Sequence, residues 1–298
     1  MIAVISPPAH ERLMFPAIAA LALVPLWFLP GWLSLNTQLI MLATLVVVMG
    51  LPHGALDPWL AARAGLIPNQ GRAVLFNLLY LAIAALVVLV WLWLPATSLA
   101  IFLAISAWHF SGDWRADVAL VPRVLAGSLL LLMPIGFHTD NVAMLFDHLS
   151  GAGGQTLAHA LSLPPWLLVM AMMALTAWAG WQRRWFAALE LFALLVLAYV
   201  AEPLVYFALY FCALHSLRHL AGLFRQAPAA EQGHLWRMTF VYTAATVLLA
   251  GALLALWSHL PIDTLILKLV FIGLAAVTVP HMMLMGMVWL RNIKRTHP

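Results

Sequence analysis

The sequence predicts an all-α, polytopic transmembrane helical bundle of about ten spans. Three observations predict it. Of the 298 residues, 65% are hydrophobic and only 8% are charged, where a soluble domain is about a quarter charged. Mean hydropathy is +1.01. Apolar runs recur at roughly the 20-residue length that a helix needs to cross a bilayer. No stretch between them is long enough to fold alone, so residues 1–298 read as a single integral-membrane domain.

The runs fall near 13–33, 38–60, 73–94, 98–113, 119–136, 165–181, 185–201, 203–224, 238–258 and 264–290. The first follows a short N-terminal stretch, Met1 to Arg12, with no small-residue cleavage site after it. It reads as a retained span rather than a signal peptide. The fourth and seventh runs are short, and the fourth fits a partly re-entrant segment. Segment 137–164 has no Lys or Arg and contains Gly151-Ala-Gly-Gly154 and Pro164-Pro165. Its Phe146, Leu149 and Leu157 suggest an interfacial helix or lid lying on the membrane, with a disordered loop as the alternative.

Charge sets the orientation. With the N-terminus inside, the inner side receives Arg12, Arg63, Arg72, Arg115, Arg123, Arg183, Arg184, Arg225, Arg237, Arg291, Lys294 and Arg295, and the outer side only Lys268. Lys and Arg concentrate on cytoplasmic loops, so the expected topology is N-in, C-in, multi-pass, in the cell inner (plasma) membrane. The formal net charge of +4 is spread thinly at span ends, which is no nucleic-acid signal. The single cysteine, Cys212, excludes a disulfide framework and a thiolate metal site.

Histidines inside the apolar runs carry the functional signal. His53 lies in Gly50-Leu-Pro-His-Gly-Ala-Leu-Asp57, His109 in Trp108-His-Phe-Ser-Gly-Asp113, and His215 and His219 in His215-Ser-Leu-Arg-His219. An ionisable group at membrane depth costs about 2.5–3.5 kcal/mol or more when charged, and it marks a functional site by default. Neutral imidazole is the commonest protein metal ligand. The four lie in the second, fourth and eighth runs, which all descend from outside to inside. Each is roughly 4–10 residues from the inner end, a depth of about 6–15 Å at 1.5 Å per residue. The expectation is a histidine metal site in the cytoplasmic half of the bilayer. His215 and His219, at i, i+4, share a helix face.

Asp57 and Asp113 each follow a histidine by four residues and suit a role behind it, accepting the second ring N–H and fixing the tautomer. The alternative is an inner-interface role beside Arg63 or Arg115. His281, in Val279-Pro-His281 of the tenth run, is a possible extra ligand, a substrate contact or a core histidine. Pro52 and Pro280 predict kinks, and Gly50, Gly54 and Gly112 allow close helix approach. Arg218 is expected at the inner surface or paired with Asp57 or Asp113. His10, His138, His148, His159, His234, His259 and His297 read as solvated. Trp27, Trp32, Trp91, Trp93, Trp257 and Trp289 read as belt residues. Trp108, Phe110, Tyr206, Phe207, Tyr210 and Phe211 could line an apolar substrate tunnel near the histidine layer, although helix packing explains any one of them.

Imidazole suits Zn, Cu, Fe and Ni. A zinc hydrolase fits less well, because it keeps three protein ligands and needs a general base. The residues alone point to a membrane metalloenzyme, redox or oxygen-using, with a lipid-soluble substrate.

The set Gly-Leu-Pro-His53-Gly-x-x-Asp57, Trp-His109-Phe-x-x-Asp113, His215-Ser-x-Arg-His219 and Val-Pro-His281 resembles the Brp/Blh family of membrane-bound β-carotene 15,15′-dioxygenases. The resemblance implies Fe(II) held by His53, His109, His215 and His219. It also implies cleavage of the central double bond of β-carotene by O₂ to two all-trans-retinal, and a functional link to a microbial rhodopsin. The competing readings are a related membrane oxygenase on another carotenoid or lipid, a non-catalytic carotenoid- or retinal-binding partner of a rhodopsin, and a metal transporter. A transporter requires a polar path across the whole bilayer, whereas these histidines cluster on one side.

Overall fold

The computed structural model describes residues 8–29, 31–114, 118–256 and 261–296. The described residues form helices and no strand. In chain order these are α1 (Ala9–Phe28), α2 (Leu35–Arg63), α3 (Gln70–Trp93), α4 (Pro95–Phe110), α5 (Leu120–Phe137), α6 (Thr139–Ser150), α7 (Ala152–Leu161), α8 (Pro165–Trp181), α9 (Trp185–Val200), α10 (Pro203–Gln226), α11 (Gln232–Leu256) and α12 (Ile262–Thr296). Each of the ten expected apolar runs coincides with a helix. Among the described residues, seven helices are long and apolar enough to cross a membrane, eight if α7 and α8, bent by 59°, make one broken span. Helices α4 and α9 have 16 residues each, about 24 Å at 1.5 Å per residue, which is short of the roughly 30 Å hydrocarbon core. Residues 137–164 form a helical hairpin, α6 and α7, rather than a disordered loop.

The outer surface is apolar. Helix α3 buries Trp91 alone and exposes Val74, Leu75, Leu78, Leu79, Leu86 and Leu89. A patch this large is what lipid contact requires. The core forms around α10, whose Pro203–Tyr206 and Tyr210–Ser216 are all buried. Helix α2 packs on α10, α12 on α2 and α3, α4 on α5, and α1 on α9. Tyr206 fixes α10 to α5 by donating to Leu130 O at 3.0 Å.

Two π-helical segments lie where α2 and α10 meet, Val46–Gly50 and Leu209–Ser216. A π turn holds an extra residue, rotates all side chains beyond it, and recurs at functional sites. Gly50 permits the contact, since a Cβ there would stand 2.9 Å from the Phe211 ring. Gly54 and Gly112 have no such neighbour within 4 Å, so only the first of the three expected glycines mediates close approach. Helix α2 turns at Ala55–Leu56, just past Pro52, whereas α12 runs through Pro280 as one helix.

Polar ties close the histidine end. Arg218 pairs with Glu190 of α9 and donates to Asp113 O at 3.2 Å, so it meets the Asp113 backbone rather than either expected carboxylate. Trp114 Nε1 donates to Glu190 at 3.0 Å. Arg63 and the Trp59 indole both reach Glu231, and Arg225 pairs with Glu11.

Several outer expectations need correction. Trp91 is buried and donates to Leu149 O, unlike the exposed Trp27, Trp32 and Trp93. His138 and His148 are half-buried, bonded to Ala198 O and Thr264, whereas His10, His159 and His234 are exposed. Trp257, His259, His297 and Arg115, with the side chain of Trp289, lie outside the described residues.

Gly127 is the tightest crossing near the site, because a Cβ there would meet Ala107 O at 2.3 Å and Ser111 N at 2.9 Å. Gly127→Ala is expected to cost about 1–3 kcal/mol, as overpacking does, and to lower the thermal midpoint in detergent. Gly54→Ala should leave that midpoint unchanged.

Candidate metal centre

Five histidines from four helices converge. His53 comes from α2, His109 from the end of α4, His215 and His219 from α10, and His281 from α12. His215 and His281 are buried and the other three are half-buried. Four rings form a closed cycle. Adjacent ring centres stand 4.8 Å apart for His109–His215, 5.4 Å for His215–His53, 5.4 Å for His53–His281 and 5.3 Å for His281–His109. His219 approaches the cycle at His53, 5.6 Å, and at His281, 5.5 Å.

Hydrogen bonds on the far side of three rings fix their tautomers. His281 Nδ1 donates to Asp57 at 2.8 and 3.0 Å. His215 Nδ1 donates to Asp113 Oδ1 at 2.9 Å. His53 Nδ1 donates to Gly50 O. A carbonyl or ionised carboxylate only accepts, so each Nδ1 carries a proton, and in the neutral ring Nε2 then carries the lone pair. His109 Nε2 and His215 Nε2 are 3.2 Å apart. His219 Nε2 and His281 Nε2 are buried with no hydrogen-bond partner, a state that costs about 1–3 kcal/mol each.

The aspartates serve histidines on other helices. Each follows a histidine by four residues in sequence, yet Asp57 holds His281 and Asp113 holds His215. The cause is local. The turn at Ala55–Leu56 and the tight turn Ser111–Trp114 lie between each aspartate and its sequence neighbour, so neither pair keeps the one-face geometry of i, i+4. Each carboxylate also receives a tyrosine hydroxyl. Tyr80 reaches Asp57 Oδ2 at 3.0 Å, and Tyr210 reaches Asp113 Oδ2 at 2.7 Å. Two Tyr–Asp–His relays therefore back the cluster.

The residues fit a metal ion. Ligand nitrogens stand about 2.0–2.2 Å from a first-row ion and ring centres roughly 1.1 Å farther, so ligands at 90–120° place their rings about 4.5–5.6 Å apart. The six spacings above fall in that range. Among the described residues, the side chains as placed form no group of three or more His, Cys, Asp or Glu that could hold a metal ion. The ring spacings nevertheless match those of metal-bound imidazoles. They are set by the helices and χ1, whereas a small turn about the broad χ2 torsion moves each nitrogen. The donor set is all imidazole, which suits Fe, Zn, Cu and Ni.

An apolar cavity adjoins the cluster between α4, α5, α6, α10 and α12. Phe110, Tyr206 and Phe207 line it, with Leu99, Leu145 and Phe146 among the others. Phe110 links it to the imidazoles, 4.9 Å from His215 and 5.8 Å from His109. Phe207 stacks on Phe211 at 5.3 Å, and Phe211 stacks on His215 at 5.7 Å. Tyr210 stands behind Asp113 instead of lining the cavity. Trp108 is 55% exposed and turns away from the cavity, as expected of a residue two positions from an inward Phe110 on a helix.

Sequence reasoning overlooked Tyr80, Trp114 and Glu190. Glu190, a lone carboxylate in the apolar run 185–201, carried the same intramembrane-charge signal as the histidines. Tyr80 and Trp114 carried none, because only the packing defines their partners.

Residues 44–289 match the family described as beta-carotene 15,15′-dioxygenase. A protein of an uncultured marine bacterium, 66A03, named beta-carotene 15,15′-dioxygenase, is 32% identical over 255 residues, covering 82% of this chain and 92% of that one. A Halobacterium salinarum protein named probable beta-carotene 15,15′-dioxygenase Blh is 27% identical over 246 residues, covering 72% of this chain and 71% of that one. No solved structure matches. With a match of that extent and a relative at that identity, the chain belongs to the beta-carotene 15,15′-dioxygenase family.

Proposed function

We propose that the chain is a membrane-bound, Fe(II)-dependent dioxygenase that cleaves the central 15,15′ double bond of β-carotene with O₂ to give two all-trans-retinal. The observation that carries this reading is the imidazole cluster abutting an apolar cavity in a member of this family. The reading includes ten spans with both termini inside, the plasma membrane as location, and retinal supply to a microbial rhodopsin. The inner-side excess of Lys and Arg supports that orientation.

His53, His109, His215 and His219 would hold the ion. When bound, Fe(II) supplies the redox chemistry with O₂ that no amino-acid side chain provides. The chain's own residues do the rest. Asp113 and Tyr210 keep the His215 proton on Nδ1, which leaves Nε2 free to ligate. The Gly50 carbonyl does the same for His53. Phe110, Phe207 and Phe211 form an apolar wall from the cavity to the imidazoles, which orients a polyene and excludes water. Helix α6 closes the cavity with Val142, Leu145, Phe146 and Leu149.

In β-carotene-producing cells, the native chain is expected to convert β-carotene to retinal, and His219→Ala to abolish that conversion, as read by chromatography. Undiminished β-carotene beside folded, iron-loaded native protein would overturn the substrate assignment. Asp113→Asn should lower Fe(II) affinity about 10–100-fold, the usual loss when a ligand's outer partner is removed, checked by chelator competition. Leu145→Trp fills the cavity and should cut retinal formation at least tenfold while bound iron stays unchanged. Equal retinal from that variant would place the substrate elsewhere.

A further inference from the structure

We infer that His281 is a fifth metal-binding imidazole, held in place by Asp57 and Tyr80, and that the centre is built from five nitrogens rather than four. This rests on the metal reading above and extends it to a residue outside the four histidines that the resemblance supplies.

Three observations carry it. His281 is a member of the closed four-ring cycle, 5.4 Å from His53 and 5.3 Å from His109, and it also meets His219 at 5.5 Å. Those spacings fall within the 4.8–5.6 Å range found among the other four, and leaving His281 out would remove one corner, and so two sides, of the cycle. Its Nε2 is buried with no hydrogen-bond partner, like that of His219. That leaves a buried nitrogen without a partner on a ring that contacts three other imidazoles, which a bound cation would satisfy. Finally, its Nδ1 is tied by the same device that holds His215. Asp57 accepts from His281 at 2.8 Å and from Tyr80 at 3.0 Å, while Asp113 accepts from His215 at 2.9 Å and from Tyr210 at 2.7 Å. A carboxylate that accepts from a ligand's second nitrogen orients the ring and raises its basicity. Here the device occurs twice, on opposite sides of one cluster.

The Tyr80 hydroxyl also lies 3.0 Å from Val277 O, one helical turn before His281 on α12. Tyr80 thereby aligns α12 with the aspartate and acts on His281 through it, as a positioning residue. Five nitrogens leave one position of an octahedral ion open; four leave two.

The test uses the full chain, purified in detergent and loaded without oxygen with Fe(II) or Co(II). Metal per chain, the dissociation rate to a chelator and the Co(II) d–d spectrum are read for the native protein, His281→Ala, His281→Gln, Tyr80→Phe and His219→Ala. The expected result is dissociation about 100-fold faster in His281→Ala, with a changed Co(II) spectrum, and about tenfold faster in Tyr80→Phe, within the range for loss of an outer partner. Thermal midpoints of the metal-free variants identify any that fail to fold, and His281→Gln and Tyr80→Phe decide should His281→Ala do so. Native affinity and spectrum in the folded His281 variants, with metal lost from His219→Ala, would overturn the five-nitrogen centre and leave the metal reading standing. A native chain that retains neither metal would overturn both.

Discussion

The structure depends on two carboxylates buried beside imidazoles inside an apolar bundle. An isolated carboxylate taken out of water carries a desolvation penalty of several kcal/mol, and it persists only when paired and hydrogen-bonded. Asp57 and Asp113 each receive an imidazole N–H and a tyrosine O–H. Each network crosses helix boundaries. Asp57 brings together α2, α3 and α12; Asp113 joins the turn after α4 to α10. Since neither carboxylate tolerates the loss of its partners, the relative placement of these helices is set by polar geometry rather than by non-directional apolar contact. In a bilayer, where lipid tails compete with side chains for apolar surface, such directed contacts carry much of the specificity.

The other irregular features serve the same convergence. The π segments of α2 and α10 lie against one another, and each rotates the residues that follow it. His53 lies three residues beyond the first, and His215 lies within the second. Gly50 leaves room for Phe211, and Phe211 in turn stacks on His215. Arg218 would point an unpaired guanidinium into the same region without Glu190. Their ion pair, with the Trp114 indole on the other carboxylate oxygen, covers the end of the cluster away from the cavity. The centre is therefore polar and cross-linked on one side and largely apolar, faced by aromatic rings, on the other.

The helices and the histidine positions were legible in the sequence, because apolar run length and intramembrane ionisable residues are local signals. All ten runs fall on helices, and all five histidines meet. Partnerships across helices were not legible. The i, i+4 spacing pairs Asp57 with His53 and Asp113 with His109, but a two-residue turn in one case and a tight turn in the other carry each aspartate toward a different helix. Tyr80 sits in a uniformly apolar helix and becomes informative only beside Asp57. Trp108 and Phe110 are equally aromatic and only two residues apart, and the helix phase that separates them depends on which face meets α5 and α10. The aromatic belt fails in the same way at Trp91, which α6 covers and whose indole reaches Leu149 O.

The division of the site into a polar and an aromatic side bears on what chemistry it admits. On the cavity side the few polar groups are largely occupied; the Tyr206 hydroxyl, for instance, is committed to Leu130 O. Among the described residues that line it, no side chain offers a charged anchor or a carboxylate or imidazole base, so a substrate held by that wall is recognised by shape and apolar area. On the other side, hydrogen bonds already commit the Nδ1 protons of His53, His215 and His281. Those protons cannot leave without breaking the relays that hold the rings. The imidazoles are thus poor proton shuttles, which agrees with the proposed ligand role. Both halves favour a reaction in which the protein supplies position and dryness and takes no part in proton transfer.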